Sequence, residues 1–189
     1  MKLRILTTIL LLAPSFLATP IQAQNVNPDG QLNISWQCEN CNLSRTNLSN
    51  RDMSRANLNS ADLNHTDLMN SFLISALLNS ANLTRANLKN ASLSGASLSN
   101  ASLNWASLRG ATLSGASLSK ANLSGASLRE ADLSYADLSG ANLNGAELIS
   151  ANLSNANLSG ASVIDTNMKN AVLCNTTMPD NKVSNRNCS

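Results

Sequence analysis

Aromatic residues make up only 3 % of this 189-residue chain, and charged residues only 13 %. The first scarcity points away from a core built of large side chains on several elements, and toward a thin, regular one. The second, with 13 basic and 11 acidic residues, excludes a disordered polyelectrolyte. Histidine occurs once, as His65, so the many serines have no Ser/His/Asp constellation around them. No proline falls between Pro28 and Pro179, so nothing in that stretch removes a backbone donor from a ladder. Beyond the first two dozen residues no apolar run approaches the roughly 20 residues of a spanning helix.

Those first residues have the order of an export signal. Lys2 and Arg4 are followed by the largely apolar segment Ile5–Ala18, and then by Pro20-Ile21-Gln22-Ala23, with a small residue before Gln24. Residues 1–23 are therefore expected to be a cleaved signal peptide, leaving no stable membrane span. Removing Lys2 and Arg4 leaves eleven basic and eleven acidic residues. That balance gives no bulk attraction to nucleic acid, and none is expected as a partner. The expected destination is periplasm, thylakoid lumen or the extracellular space.

What fills the rest is a period of five. Every fifth residue from Leu43 is Leu, with Met53 the one exception before Leu158; Val163, Met168, Leu173 and Met178 close the series of 28 units. Two residues before each of these centres (position i), Arg51 before Met53 excepted, stands a small residue at i−2, which is Ala without exception from Ala76 to Ala161. Positions i−1, i+1 and i+2 are mostly Asn, Ser, Asp, Gly, Lys or Arg. Five matches neither a helix nor a simple strand, but it fits a chain that turns a corner every five residues. Side chains at i−2 and i share one face because strand side chains alternate. The corner then lies between i and the next i−2. A type II turn there requires positive φ at i+2, where Gly and Asn are favoured. Seven of the eight glycines occupy that column.

These residues resemble the pentapeptide-repeat family, whose Ala-Asp/Asn-Leu-x-x consensus stands in Ala81-Asn82-Leu83, Ala131-Asp132-Leu133 and Ala141-Asn142-Leu143. The resemblance implies an all-β fold, a right-handed quadrilateral β-helix of about seven coils. Residues 41–178 are expected to form this solenoid, 24–40 an N-terminal cap and 179–189 a C-terminal cap or tail. Trp36 and Cys38 keep the inward phase, and Arg51 falls in an inward slot otherwise held by small residues.

Four cysteines remain after the leader: Cys38, Cys41, Cys174 and Cys188. Cys38-x-x-Cys41 is open to three readings: a redox motif, half a zinc site or a structural disulfide. A redox role calls for a βαβ context and a zinc site for more ligands, and neither is in view. An even count in an exported chain favours disulfides. Closing Cys174 to Cys188 would contribute ~3 kcal/mol on the chain-entropy model. The segment Cys174–Asp180, together with the early Cys-x-x-Cys, resembles exported cyanobacterial members of the family.

Catalysis is not expected, and no cofactor or metal is implied. His65 is at an outward i+2 position, and Asp62, Asp67, Asp132 and Asp137 fill the i−1 slot of the consensus. Residues 20 apart stack on one face, giving a column of Met69, Lys89, Arg109, Arg129, Ile149 and Lys169. A second column holds Arg45, His65, Arg85 and Trp105. Either is a candidate docking face for an anionic partner, such as a polysaccharide, a lipid headgroup or an acidic protein, or else ordinary solvation of tolerant positions. Met69, Phe72, Ile74 and Leu77 form an outward apolar group. The leading expectation is a non-catalytic binding or scaffold protein acting through its outer faces. The alternatives are the family's DNA-mimicking inhibition of a type II topoisomerase and a thiol redox protein using Cys38 and Cys41.

Overall fold

The computed structural model describes residues 36–188, so the expected leader and most of the expected N-terminal cap lie outside it. Among the described residues there are bridges, turns and two short strands, and no helix. Parallel bridges join each i−1 residue to the one twenty positions on, without a gap from Gln37↔Asn57 to Asn157↔Thr177. One coil is therefore twenty residues long, with a turn after every five. Strand spacing puts successive coils ~4.8 Å apart.

Why five residues suffice is clearest from one unit's backbone donors. In the unit Ala81–Arg85, the Ala81 amide closes the preceding turn on Leu78 O at 3.1 Å. The Asn82 amide donates to Ala61 O of the coil before, at 2.9 Å. Leu83 and Arg85 donate to Ser102 O (2.7 Å) and Asn104 O (3.0 Å) of the coil after. Only the i+1 amide has no backbone partner, and the side chain at i−1 takes it: Thr84 N donates to Asn82 Oδ1 at 3.2 Å. The same local bond joins Ser134 N to Asp132 Oδ1 and Ser154 N to Asn152 Oδ1. An Asn or Asp at i−1 thus completes the backbone accounting of its own unit.

These side chains also bond between coils. Asn82, Asn87, Asn152 and Asn157 donate their amides to Asp62, Asp67, Asp132 and Asp137, at 2.8–3.2 Å. A carboxylate can only accept, and each of these four has a donor amide one coil on.

The corners have the conformation their composition predicts. Positive φ occurs at every i+2 position from Asn40 to Asn175, whether or not the residue is glycine. Arg85, Trp105, Lys120 and Tyr135 adopt it at φ 57–60°. The left-handed region costs an ordinary L-residue roughly 1–2 kcal/mol, so the coil imposes this turn against local preference.

Inside, the Leu and Ala ladders are closed to solvent. Every centre from Met53 to Leu158 is fully buried, as are the Ala residues beside them. Each Leu contributes about 1.5–3 kcal/mol by burial. Where the inward small position carries a hydroxyl, a carbonyl receives it: Thr66 donates to Leu43 O, Ser71 to Leu68 O and Thr176 to Leu153 O.

The ends depart from the pattern. Arg51, expected to face inward, is exposed, because solvent spares its guanidinium the cost of burying an unpaired charge. Trp36 packs against the core, and its indole N–H donates to Asp52 O at 3.0 Å. By the regular pattern that carbonyl would receive a backbone amide from a preceding coil. At the other end β1 (Leu173–Thr177) pairs antiparallel with β2 (Val183–Arg186). Arg186 Nη2 donates to Met168 O at 2.9 Å and Asn187 Nδ2 to Ala171 O at 2.8 Å. Side chains thereby supply donors to carbonyls at the coil edge, while Val163, Met168 and Met178 stay half-buried.

Candidate binding surfaces

The repeat fixes where functional side chains can be. Positions i−2 and i are consumed by the core, and i−1 is largely committed to ladders. The corner positions i+1 and i+2 remain, and they carry nearly all the cations.

The first column does not form the bare positive stripe its sequence suggests. Arg109 Nη2 lies 3.0 Å from Glu130 Oε1, and Arg129 Nη1 lies 3.8 Å from Glu147 Oε2. Each Glu stands one residue around the corner or on the adjoining face of a neighbouring coil, a relation the column alone conceals. Lys89 and Lys169 are exposed and enter no ion pair among the described residues. An open hollow of about 310 Å³, lined by Lys89, Asn90, Arg109, Gly110 and Glu130, lies beside this column.

The second column is less compensated. Arg45, His65 and Arg85 are exposed, with no carboxylate within 4.0 Å among the described residues. Trp105 follows one coil on, with 63 % of its surface exposed. Its ring lies over Gly125: a Cβ there would be 2.5 Å from Cε3 and Cζ3. Gly145, next in the column, has nothing within 4 Å of its Cβ direction.

Phe72, Ile74 and Leu77 are exposed around one corner, with Met69 half-buried beside them. Sequence reading found this group and both cationic columns. It missed Tyr135, 68 % exposed at a left-handed corner, which the period alone placed among the tolerant positions.

The cysteines lie in two pairs at disulfide distance, Cys38 with Cys41 (Cα–Cα 5.2 Å) and Cys174 with Cys188 (5.0 Å). Cys38 is buried. Among the described residues no group of His, Cys, Asp and Glu is placed to hold a metal ion, and no helix is long and apolar enough to cross a membrane. His65 is exposed at a corner. Hydrogen bonds from the Ser54 amide and hydroxyl hold the Asp52 carboxyl below the ordinary aspartate range. The stability this contributes is present above the ordinary aspartate pKa and is lost as pH falls through the lowered value.

The family profile described as Pentapeptide repeats matches eight copies, over residues 37–73, 76–115, 106–145 and 151–180. A comparison with curated proteins finds no match. Among solved structures the chain is similar to HetL, a pentapeptide repeat protein involved in heterocyst differentiation regulation in the cyanobacterium Nostoc sp. strain PCC 7120. Identity is 34 %, over 76 % of this chain and 78 % of that one, with a TM-score of 0.36. A second is Rfr23 of the cyanobacterium Cyanothece 51142, at 26 % identity over 71 % and 85 % and a TM-score of 0.33. A third is a pentapeptide repeat protein of the Arabidopsis thaliana thylakoid lumen, at 30 % identity over 57 % and 65 % and a TM-score of 0.28. With its repeats matched across most of the described coils and parallel bridges every twenty residues, the chain belongs to the pentapeptide-repeat family and is a β-helix.

Proposed function

We propose that this chain is an exported, non-catalytic binding protein, a four-sided solenoid of about seven coils that docks an anionic partner on its outer corners. One observation carries the reading: the inward positions are filled by Leu and Ala, so chemical variety is confined to the outside. A substrate pocket needs concavity with convergent polar groups, whereas the corners present separate side chains in axial rows. Two cationic columns fit recognition by charge.

Export is supported by the leader sequence, by the cysteines at disulfide distance and by a thylakoid-lumen relative. In this reading both cysteine pairs are oxidised, which removes Cys38 and Cys41 from redox chemistry. Trp36 closes the first coil, and residues 179–189 cap the last. The topoisomerase-inhibitor alternative calls for an acidic surface, and the neutral mature charge with cationic columns opposes it.

Two measurements test the proposal. Expressed with its own leader in a Gram-negative host, the chain is expected in the periplasm, starting at Gln24; full-length protein in the cytoplasm would refute export. The mature protein is then presented with immobilised acidic polysaccharide, anionic lipid vesicles and an acidic protein at low salt. At least one should retain it, and reversing charge at Arg45, Arg85, Lys89, Arg109 and Arg129 together should abolish retention. Retention by none of the three, or equal retention of the variant, overturns the docking role.

A further inference from the structure

The two cationic columns are not equivalent. In one, Arg109 and Arg129 direct their charge to Glu130 and Glu147. In the other, Arg45, His65 and Arg85 enter no ion pair among the described residues and lead to an exposed indole. We propose that this second corner binds a linear acidic polysaccharide laid along the solenoid axis, with its carboxylates on Arg45 and Arg85 and one sugar ring stacked on Trp105. The inference rests on the docking role proposed above and names its ligand class.

Three features favour that ligand. The first is dimensional. The row from residue 45 to residue 105 crosses three coil steps, about 14 Å at the spacing of paired strands, and is one side chain wide. A stable protein partner covers roughly 800 Å² on each side, which a single row of side chains does not supply. A flexible chain with a charge on every sugar can follow such a row.

The second feature is Trp105 itself. Its position favours glycine, which fills the next two places in the column at Gly125 and Gly145. A bulky side chain at φ 60° with 63 % exposure is conformationally costly and gains little from burial. The same φ recurs at every corner, so what sets Trp105 apart in its column is its exposed ring. The ring offers a flat apolar face with a polar N–H edge, suited to a partner that is apolar on one face and wet on its rim.

The third is the surface beyond the ring. Gly125 and Gly145 carry no side chain into the space past the indole, and the next side chain of the column, the exposed Asp165, stands three coils beyond Trp105. Arg45, His65 and Arg85 on one side and this bare track on the other give the row a charged half and a smooth half.

The test is titration calorimetry of the mature protein with a homogeneous oligouronate, at low and physiological salt. The controls are the same oligosaccharide with its carboxyls reduced to alcohols, single-stranded DNA of equal charge, and phosphatidylglycerol vesicles. Trp105→Gly removes the ring at a position that accepts glycine, and Arg45→Gln/Arg85→Gln removes charge without reversing it. Each is expected to weaken oligouronate binding about tenfold or more, while Arg55→Gln/Lys120→Gln, at exposed corners outside both columns, leaves it unchanged. Thermal melting establishes that every variant is folded. The reduced oligosaccharide should bind far more weakly. Equal binding by the Trp105 and Arg variants and the parent overturns the proposal, as does tighter binding of DNA or vesicles than of oligouronate. Retention on vesicles alone, lost on reversing both columns, would leave the docking role standing and remove this ligand.

Discussion

Replacing Asn152 by Asp changes little in shape and reverses the logic of one inter-coil contact. Asn152 uses the two ends of its amide differently: the first, Oδ1, accepts from Ser154 N at 3.1 Å and Ser154 Oγ at 2.7 Å, and the second, Nδ2, donates to Asp132 Oδ1 at 3.1 Å. Aspartate keeps the first and loses the second. A hydrogen bond to a charged group contributes about 1.5–3 kcal/mol net. In its place two carboxylates face one another, and unit charges 4 Å apart near a protein surface repel by about 4 kcal/mol before salt screening. Both groups are half-buried, so part of that repulsion survives. A loss of about 2–4 kcal/mol at pH 7 is the expected result.

The pH dependence separates this mechanism from simple misfit. Repulsion raises the folded pKa of the new pair above the unfolded value. The variant's deficit is therefore smallest below the ordinary aspartate pKa and grows as pH rises through the raised value. One proton shared by the two carboxyls restores a bond at low pH. The assay is urea unfolding of parent and variant at pH 4 and pH 7, with Asn152→Ser as a neutral control. Equal stability of Asn152→Asp and parent at pH 7, or a deficit independent of pH, would refute the role assigned to the Asn-on-Asp ladder.

Leu108→Ala, in the middle of the fully buried ladder, should cost about 2–5 kcal/mol by urea unfolding, since fixed coils on both sides limit collapse into the cavity. Tyr135→Gly should raise stability by roughly 0.5–1 kcal/mol, because relief of a left-handed tyrosine outweighs the added freedom of the unfolded chain. Reducing Cys174–Cys188 should lower stability by about 3 kcal/mol and expose two thiols; a thiol count of four before reduction would contradict both pairings.

The solenoid was legible in the sequence because its determinants are periodic. Leu at i, Ala at i−2 and glycine at i+2 each answer to a requirement that recurs along the coil, so the five-residue register could be read before any coordinates. The function of i−1 was not legible in the same way. Its mixture of Asn, Asp and Ser resembles tolerance until the i+1 amide is seen to need a side-chain acceptor. The placement of Asp62 beneath Asn82, or of Asp132 beneath Asn152, depends on a relation twenty residues apart.

The candidate surfaces show the same limit. A column can be read by counting in twenties, but Arg109–Glu130 joins residues 21 apart and Arg129–Glu147 residues 18 apart, across columns. Counting therefore overstated the positive charge of the Lys89–Lys169 row and gave no reason to prefer the Arg45–Trp105 row. Arg51 shows how an end defeats periodicity, since a slot is inward only where neighbouring coils enclose it. The pairing of Trp36 with Asp52 O and of Asn187 with Ala171 O likewise has no periodic signal.

The proposed function divides labour, with stability inside the coil and recognition on its corners. Its most direct test is the affinity for a retained anionic ligand, measured for the parent, Leu108→Ala and the five-site charge-reversed variant at a temperature where all three are folded. Leu108→Ala is expected to bind as the parent does, while the charge-reversed variant does not bind. Weakened binding by Leu108→Ala together with full binding by the charge-reversed variant would contradict it.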